Sequence, residues 1–293
     1  MSEVAVVLDD RARLVTAVLA AGGWPEREQA QLGHAVHPHA KQTRHQVRDL
    51  AGHAAVVGAD QMLAAGVPVD DLFTAAMSSA WPSLEPEASL PAAVTPAWLP
   101  ALADFYQEAG LAAFWAEHEA AWAEAQADLV AIFQGSQLAG FLEQLNQRAA
   151  GRQRPGPRPI AIMPNLVYPA LASVLATPPV TLYLILPPPK AVGESPPWPY
   201  AEDPGWVRAQ ACQRLIAYLL ADTLAQLDPA RQALLTHAAV VLFQEQAGDE
   251  AEAMAYLVRT KKEQRLPQLP LVVEQLRQYL AAPHGRSLLD LAF

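Results

Sequence analysis

The stretch AAFWAEHEAAWAEAQADLV, residues 112–130, comes closest to a catalytic motif in this chain. Zinc peptidases carry H-E-x-x-H on a helix, where histidines at i and i+4 bind the metal and the glutamate lies beside the bound water. Here His118 and Glu119 are present, but Trp122 stands at i+4. An indole N–H is only a hydrogen-bond donor, so Trp122 cannot ligate a metal. His118 and Glu119 are therefore metal-site candidates that lack the second histidine.

Helical periodicity favours a packing role for the same stretch. At 100° per residue, one side of a single helix carries an apolar stripe. Its members are Phe114, His118, Ala121, Trp122, Ala125, Leu129 and Ile132. Because His118 falls inside the stripe and Glu119 on its flank, the pattern predicts a partly buried, hydrogen-bonded histidine.

A second candidate is the histidine-rich stretch LGHAVHPHAKQTRHQ, residues 32–46. Four histidines fall within twelve positions: His34, His37, His39 and His45. Three imidazoles can together bind a transition metal. However, the spacing matches no defined zinc motif, and the region also carries the cations Lys41, Arg44 and Arg48. Two interpretations stay open, namely a metal site and solvated histidines at the start of a polar helix.

Other catalytic signatures are missing from the sequence. It has no G-x-S-x-G, no G-x-x-x-x-G-K and no G-x-G-x-x-G. The single cysteine, Cys212, lies in an apolar helical segment and is expected to be a small core residue. Glu250 and Glu252 open a helix, where the helix dipole stabilises carboxylates. The sequence therefore predicts no catalytic residue and no cofactor.

Composition limits the class of protein. Of 293 residues, 52% are apolar and 17% charged, and 30 acidic residues face 20 basic ones for a net charge of -10. Such an acidic globular chain is not expected to bind nucleic acid or an anionic membrane. The N-terminus lacks the features of a signal peptide, and no window has the roughly 18 apolar residues of a membrane span. Together with a single cysteine, this predicts a cytoplasmic protein.

The elements that must position these residues are mostly helical. Strands are expected at 4–8, 160–163 and 180–186, the last two as a hairpin with a long turn. A basic connector, GRQRPGPRP, occupies 151–159, and seven prolines make 187–204 an extended loop. Helices are expected over 11–21, 37–65, 69–80, 96–148 with breaks at Gly110 and Gly135, 205–227, 229–247, 249–264 and 270–282.

This order predicts an α+β fold that is predominantly helical with a small sheet. We expect one domain over residues 1–293. A subdivision near 151–159 would separate a helical part, 1–150, from the strand pair and C-terminal helices of 160–293.

Read in order, several segments resemble bacterial proteins related to gluzincin metallopeptidases. These segments are DDRARLVTAVLAAGGW, HPHAKQTRHQV, FYQEAGLAAFWAEHEAAW, IAIMPNLVYPAL with VTLYLILPPP, the helix from Trp206, and VVEQLRQYLAAPHGRSLLDLAF. They span nearly the whole chain, and their motifs are loose. The resemblance implies a zincin-like outline in which the H-E-x-x-H helix follows the strand pair and its loop.

In this chain the segment WVRAQACQRLIAYLLADTL fills that place. Its i, i+4 pairs, Arg208 with Cys212 and Gln210 with Arg214, contain no histidine. Gluzincins take a third ligand from a glutamate on a later helix, for which Glu250 or Glu252 would be nearest. The resemblance thus implies that two imidazoles and the general base are missing together, so water cannot be activated by that route.

Three hypotheses for function follow. The first is a catalytically inactive metallopeptidase-like protein with a binding or regulatory role, whose partner is an unknown protein or peptide. The second is a metal-dependent hydrolase that uses His34, His37, His39 and His45. The third is a structural, partner-binding helical protein whose interface is the helix with Trp115 and Trp122. The sequence does not predict an oligomeric state.

Overall fold

The computed structural model of the chain describes residues 4–150, 158–191, 195–282 and 288–291. Residues 151–157 of the expected connector and 192–194 of the expected proline-rich loop lie outside the described residues. The described chain is mostly helical with a small mixed sheet, so the expected α+β class is confirmed. No helix of the described residues has the length and apolar character needed to cross a membrane.

The chain divides into two compact units. The sheet unit comprises Ala5–Ala131 and Ile160–Pro204, and the helical unit comprises Met1–Val4, Ile132–Pro159 and Gly205–Phe293. The chain passes from one unit to the other at four points. One of them, after Pro159, coincides with the end of the basic connector, and the others follow residues 4, 131 and 204. The two units are therefore interleaved in sequence, and the expectation of one domain over 1–293 stays a prediction.

Four short strands form the sheet. They are β1 (Ala5–Val6), β2 (Ile160–Pro164), β3 (Val174–Ala176) and β4 (Leu182–Leu186), in the spatial order β1-β2-β4-β3. Strand β2 is parallel to both β1 and β4, whereas β3 is antiparallel to β4. The three sequence-predicted strands are confirmed. β2 and β4 also prove to be neighbours, with Ile162 opposite Leu184.

The expected hairpin between β2 and β4 is wrong. Strand β3, which the sequence reading missed, lies between them in the chain and at the outer edge of the sheet. The chain reverses direction between β2 and β3 and again between β3 and β4, so β4 runs parallel to β2. The true hairpin is β3–β4, where Leu175 pairs with Leu184.

The helices of the sheet unit surround α1. Their bounds are α1 (Asp10–Ala21), α2 (Trp24–Gln31), α3 (Pro38–Gln46), α4 (Ala54–Ala64), α5 (Val69–Met77), α6 (Trp98–Glu108), α7 (Leu111–Glu117) and α8 (Glu119–Phe133), which ends in the helical unit. Asp9 caps α1 by accepting a hydrogen bond from the Arg11 N–H, and Gly22 ends it. Helix α1 contacts α2, α3, α4, α5 and α6. Most of its side chains are therefore buried, as expected for a central helix.

The expected helix over 37–65 is wrong in its continuity. Helix α3 ends at Gln46, a short 3-10 turn follows, and α4 begins only after His53. The His53 ring accepts a hydrogen bond from the Ala55 N–H at 3.1 Å, which caps a new helix start. Helix α2 was missed, although Pro25 and Glu26 in its first turn are typical start signals.

The helical unit contains the remaining helices. Their bounds are α9 (Leu138–Ala150), α10 (Pro204–Leu219), α11 (Ala221–Leu224), α12 (Pro229–Gln246), α13 (Glu250–Glu263) and α14 (Leu269–Ala281). Helix α12 packs against both α13 and α14, and Phe243 on α12 meets Phe141 of α9 with ring centroids 5.6 Å apart. The predicted helices at 205–227, 229–247, 249–264 and 270–282 are confirmed, except that the first divides into α10 and α11.

Candidate functional site

The two histidine-bearing stretches meet inside the sheet unit. Arg13 of α1, His39 of α3, His118 at the end of α7 and Trp122 of α8 lie in contact there. We refer to these four residues, with Phe114, as the His39 cluster. Its members come from three regions that are distant in sequence, so the cluster exists only because α1, α3 and the α7–α8 pair fold against one another.

The centre of the cluster is a hydrogen bond between two aromatic rings. The Trp122 indole N–H donates to Nε2 of His39 at 2.9 Å, and the side chains are only 2% exposed at both residues. Because Nε2 accepts this bond, the neutral His39 ring carries its proton on Nδ1. Burial lowers the pKa of His39 to about 3, with further lowering from His118, Arg13 and His37. His39 is therefore an uncharged imidazole with its Nε2 lone pair already occupied.

His118 occupies a break in the helix. The apolar stripe is not on one continuous helix, because α7 ends at Glu117 and α8 begins at Glu119. His118 Nδ1 lies 2.9 Å from the carbonyl oxygen of Phe114, to which it donates its proton. The ring also packs 4.5 Å from that of Phe114 and 5.4 Å from that of His39, measured between centroids. The expected partly buried, hydrogen-bonded histidine is confirmed.

Arg13 provides the charge of the cluster. Its guanidinium carbon lies 4.4 Å from the ring centroid of Trp115 and 4.8 Å from that of Trp122. One nitrogen donates to Asp10 at 3.0 Å, whereas Nε and Nη2 have no hydrogen-bond partner among the described residues. Burial lowers the pKa of Arg13. Cation–π attraction to the two indole faces thus compensates for part of the hydration that the buried guanidinium has lost.

This arrangement suits packing better than metal binding. A cation next to the ring of His39 repels a metal ion, and Trp122 blocks the Nε2 lone pair. The Glu119 side chain is exposed at the surface. In the part of the chain that the structure describes, no three His, Cys, Asp or Glu side chains are placed to hold a metal ion. The local chemistry is that of an uncharged imidazole, an indole donor and an enclosed cation.

The other candidate histidines do not converge with His39. His34 lies with Nδ1 2.7 Å from the carbonyl oxygen of Leu32 and Nε2 3.9 Å from Oε2 of Glu28. His37 caps α3 by accepting a hydrogen bond from the His39 N–H at 3.1 Å. Three of the four histidines therefore have separate local contacts, and His45 is exposed.

The expected interface at Trp115 and Trp122 is wrong. Trp115 is only 5% exposed, and Trp122 is 2% exposed. Both indoles cover the guanidinium of Arg13. A face that is covered in this way by the sheet unit's own residues has little area left for a partner.

The resemblance puts the zinc motif on helix α10 of the helical unit. The side chains at that place are engaged in ion pairing and packing. Arg208 Nη2 donates to Oδ2 of Asp249 at 2.8 Å. Cys212 is fully buried, which raises the pKa of its thiol well above the ordinary value. A Cβ on Gly205 would lie 2.3 Å from the Glu252 side chain, so the start of α10 packs directly against that glutamate. These positions contribute to packing and ion pairing between α10 and α13.

Asp249 joins these two helices, and its replacement is predicted to destabilise the helical unit. It caps α13 by accepting from the Glu252 N–H at 3.1 Å and also binds Arg208. We expect Asp249→Ala to lower the free energy of unfolding by about 2–3 kcal/mol, through loss of the cap and of the partner of a mostly buried cation. Asp249→Asn retains a capping side chain and should cost less than about 1 kcal/mol. Urea denaturation followed by circular dichroism compares them, and equal losses would contradict the capping role.

Two surface cavities lie outside the His39 cluster. A groove of about 460 Å³ between α4 and α6 is lined mainly by small apolar residues with Met62 and Trp98, together with the uncharged polar residues Gln61 and Thr95. The second cavity, of about 390 Å³, lies in the helical unit at the start of α9, around Ser136 and Gln144. Ser136 Oγ accepts from the Leu138 N–H at 3.4 Å, which is a local turn contact. The α4–α6 groove suits an uncharged apolar group.

Sequence reasoning missed Arg13 as a member of the cluster. Its indole neighbours lie about a hundred positions later in the chain, and no spacing rule connects residues at that distance. The chain matches no family model, and neither a curated protein nor a solved structure is similar to it at a significant level. The resemblance to gluzincin-related proteins therefore rests on the order and type of the segments described above.

Proposed function

We propose that this protein is a metallopeptidase-like chain without peptidase activity that acts by binding a protein or peptide. The observation that carries the proposal is the state of Arg208 and Cys212 on α10. The first is committed to an ion pair with Asp249, and the second is fully buried. Neither can supply the imidazole ligand that the H-E-x-x-H chemistry needs.

The order of elements supports the metallopeptidase-like part of the proposal. A parallel strand pair, β2 and β4, is followed along the chain by a proline-rich loop and then by α10. This is the order that the resemblance implies for a sheet, a loop and a zinc helix. Glu252, a candidate for the third ligand, lies against the first turn of α10 at Gly205.

The hydrolase alternative has less support. It needs several of His34, His37, His39 and His45 to meet at one metal ion. Instead, His39 accepts a hydrogen bond from Trp122, His37 caps a helix and His45 is exposed. A binding role does not require these histidines to meet at a metal ion; it requires only that the sheet unit be folded.

Zinc content and peptidase activity of the full chain test the proposal. We expect the protein, purified without added metal and then incubated with zinc, to hold no stoichiometric zinc by elemental analysis and to leave a peptide library uncleaved. The reason is that α10 carries no imidazole and no general base. Stoichiometric zinc together with chelator-sensitive cleavage would overturn it.

A variant that restores the motif separates the two parts of the proposal. Arg208→His, Ala209→Glu and Cys212→His together create H-E-x-x-H on α10, and circular dichroism verifies folding. Zinc binding by this variant and not by the wild type supports a metallopeptidase-like site that has lost its ligands. If the folded variant also binds no zinc, the metallopeptidase-like outline is contradicted, whereas the absence of zinc peptidase activity stands.

A further inference from the structure

A short exposed segment precedes α10 in the sheet unit. Residues Ser195, Pro196, Trp198 and Pro199 are exposed, and Pro197 is half-buried. We call residues 195–199 the proline–tryptophan ridge. Trp198 is 41% exposed, which is unusual for the largest apolar side chain. It forms part of neither the His39 cluster nor α10.

The sequence of the ridge favours polyproline II geometry. A residue before proline is restricted to extended conformations, and this applies to Ser195, Pro196 and Trp198. Pro199 has φ -52° and ψ 153°, close to polyproline II values. That helix has three residues per turn, so residues three apart share a side.

Burial in this segment follows the same repeat of three. Pro197 is half-buried, and Tyr200, the first residue of the 3-10 helix that follows, is fully buried, so these two side chains face the protein. Pro196 and Pro199 form an outward side, and Ser195 and Trp198 form another. The two outward prolines are separated by one turn, about 9 Å. The exposed surface is thus a P-x-x-P edge flanked by an indole.

Hydrogen bonds hold the ridge in place. The Tyr200 hydroxyl donates to the carbonyl oxygen of Leu186 and accepts from the Asn165 N–H at 3.0 Å. The Trp198 N–H donates to the carbonyl oxygen of Pro189 at 2.9 Å. The Ala201 N–H donates to Asp128 at 3.2 Å. A ligand segment that is already ordered loses less conformational entropy on binding.

We propose that the proline–tryptophan ridge is a docking site for a partner domain that reads polyproline II through a groove lined by aromatic rings. Such grooves take prolines spaced by one turn, as SH3 and WW domains do. Pro196 and Pro199 would enter adjacent aromatic slots, and Trp198, on the neighbouring side of the ridge, would pack beside them as the aromatic anchor. No residue from Ser195 to Pro199 is charged, so the contact is apolar and depends little on salt.

A panel of one purified SH3 domain and one WW domain tests this site on the full chain. The chain is labelled with 5-fluorotryptophan, and the Trp198 fluorine resonance is identified by its loss in Trp198→Phe. We expect at least one of these two domains to shift this resonance saturably. Trp198→Ala lacks this resonance, so its binding is measured by isothermal titration calorimetry beside the wild type. It should bind about tenfold or more weakly, as expected for an aromatic anchor.

Matched controls come from the turn between β3 and β4. Pro179 and Val180 are both exposed, the latter by 75%, and lie outside the ridge. The variant Pro196→Ala/Pro199→Ala should lose binding, whereas Pro179→Ala/Val180→Ala should bind like the wild type. The proposal is overturned if neither domain shifts the Trp198 resonance, or if both double variants weaken binding equally. Its outcome is independent of zinc content and peptidase activity.

Discussion

Replacing Trp122 by alanine is expected to lower the free energy of unfolding of the sheet unit by about 3–5 kcal/mol, the range for large aromatic residues in protein cores. Trp122 is 2% exposed, donates to His39 and covers the guanidinium of Arg13. Its loss would create a cavity, would leave Nε2 of His39 without its donor and would remove one of the two indole faces that cover Arg13. Urea denaturation followed by circular dichroism measures the change.

Trp122→Phe separates the loss of the hydrogen bond to His39 from the loss of ring volume, and Trp198→Ala is the control at a less buried tryptophan. Trp122→Phe retains most of the ring volume but removes the N–H, so it should cost about 1–3 kcal/mol for the unsatisfied His39 nitrogen. Trp198→Ala removes a tryptophan that is 41% exposed, so it loses less buried area than Trp122→Ala and should cost only about 1–2 kcal/mol. If Trp122→Ala proves as mild as Trp198→Ala, the His39 cluster does not hold α1, α3 and α8 together.

Acidification is expected to destabilise the protein through His39. The pKa of its ring is about 3 in the folded chain, against about 6.5 in an unfolded one. Between these values the unfolded state binds the proton and the folded state does not, so stability falls as pH falls through 6.5 and continues to fall toward 3. From pH 7 to pH 5 the loss from this one group is roughly 2 kcal/mol.

Comparing variants isolates the contribution of His39. Burial also lowers the pKa values of His37 and His237, so the wild type should show a steeper pH dependence than His39 alone produces. His39→Gln should reduce the loss of unfolding free energy between pH 7 and 5 by roughly 2 kcal/mol, measured by urea denaturation at each pH. His45→Gln, at an exposed position, is the control and should leave the pH dependence unchanged. An unchanged slope in His39→Gln would contradict the buried, neutral state of that ring.

Local signals in the sequence were sufficient for many helix boundaries. Asp9 as a cap and Gly22 as a stop delimit α1, and the breaks at Gly110 and Gly135 are where the sequence indicated them. Both glycines have positive φ, a conformation that most residues avoid, so the break is encoded at the position itself. Three breaks were missed, between α3 and α4, α7 and α8, and α10 and α11. The first depends on a histidine cap, which is a less common signal than serine or aspartate.

Pairing between strands could not be predicted in the same way. The apolar runs of β2 and β4 were visible, but β3 has only three residues within VLATPP. Its place at the sheet edge depends on helix α5, which packs against it. Asp70 and Thr74 of α5 accept hydrogen bonds from the Leu175 and Thr177 N–H groups. Strand direction therefore depended on contacts that join residues about a hundred positions apart.

The candidate site likewise combines features that single residues determine with features that depend on contacts between distant residues. The sequence by itself determined that Trp122 cannot be a metal ligand, that α10 lacks H-E-x-x-H, and that Ser195, Pro196 and Trp198 are extended, because each follows from the chemistry of single residues. Only the tertiary structure decided that His39 and Trp122 are hydrogen-bonded partners with Arg13 beside them, and that Tyr200 turns one side of the ridge inward. Side-chain chemistry is local, whereas burial and pairing are set by which distant helices share a core.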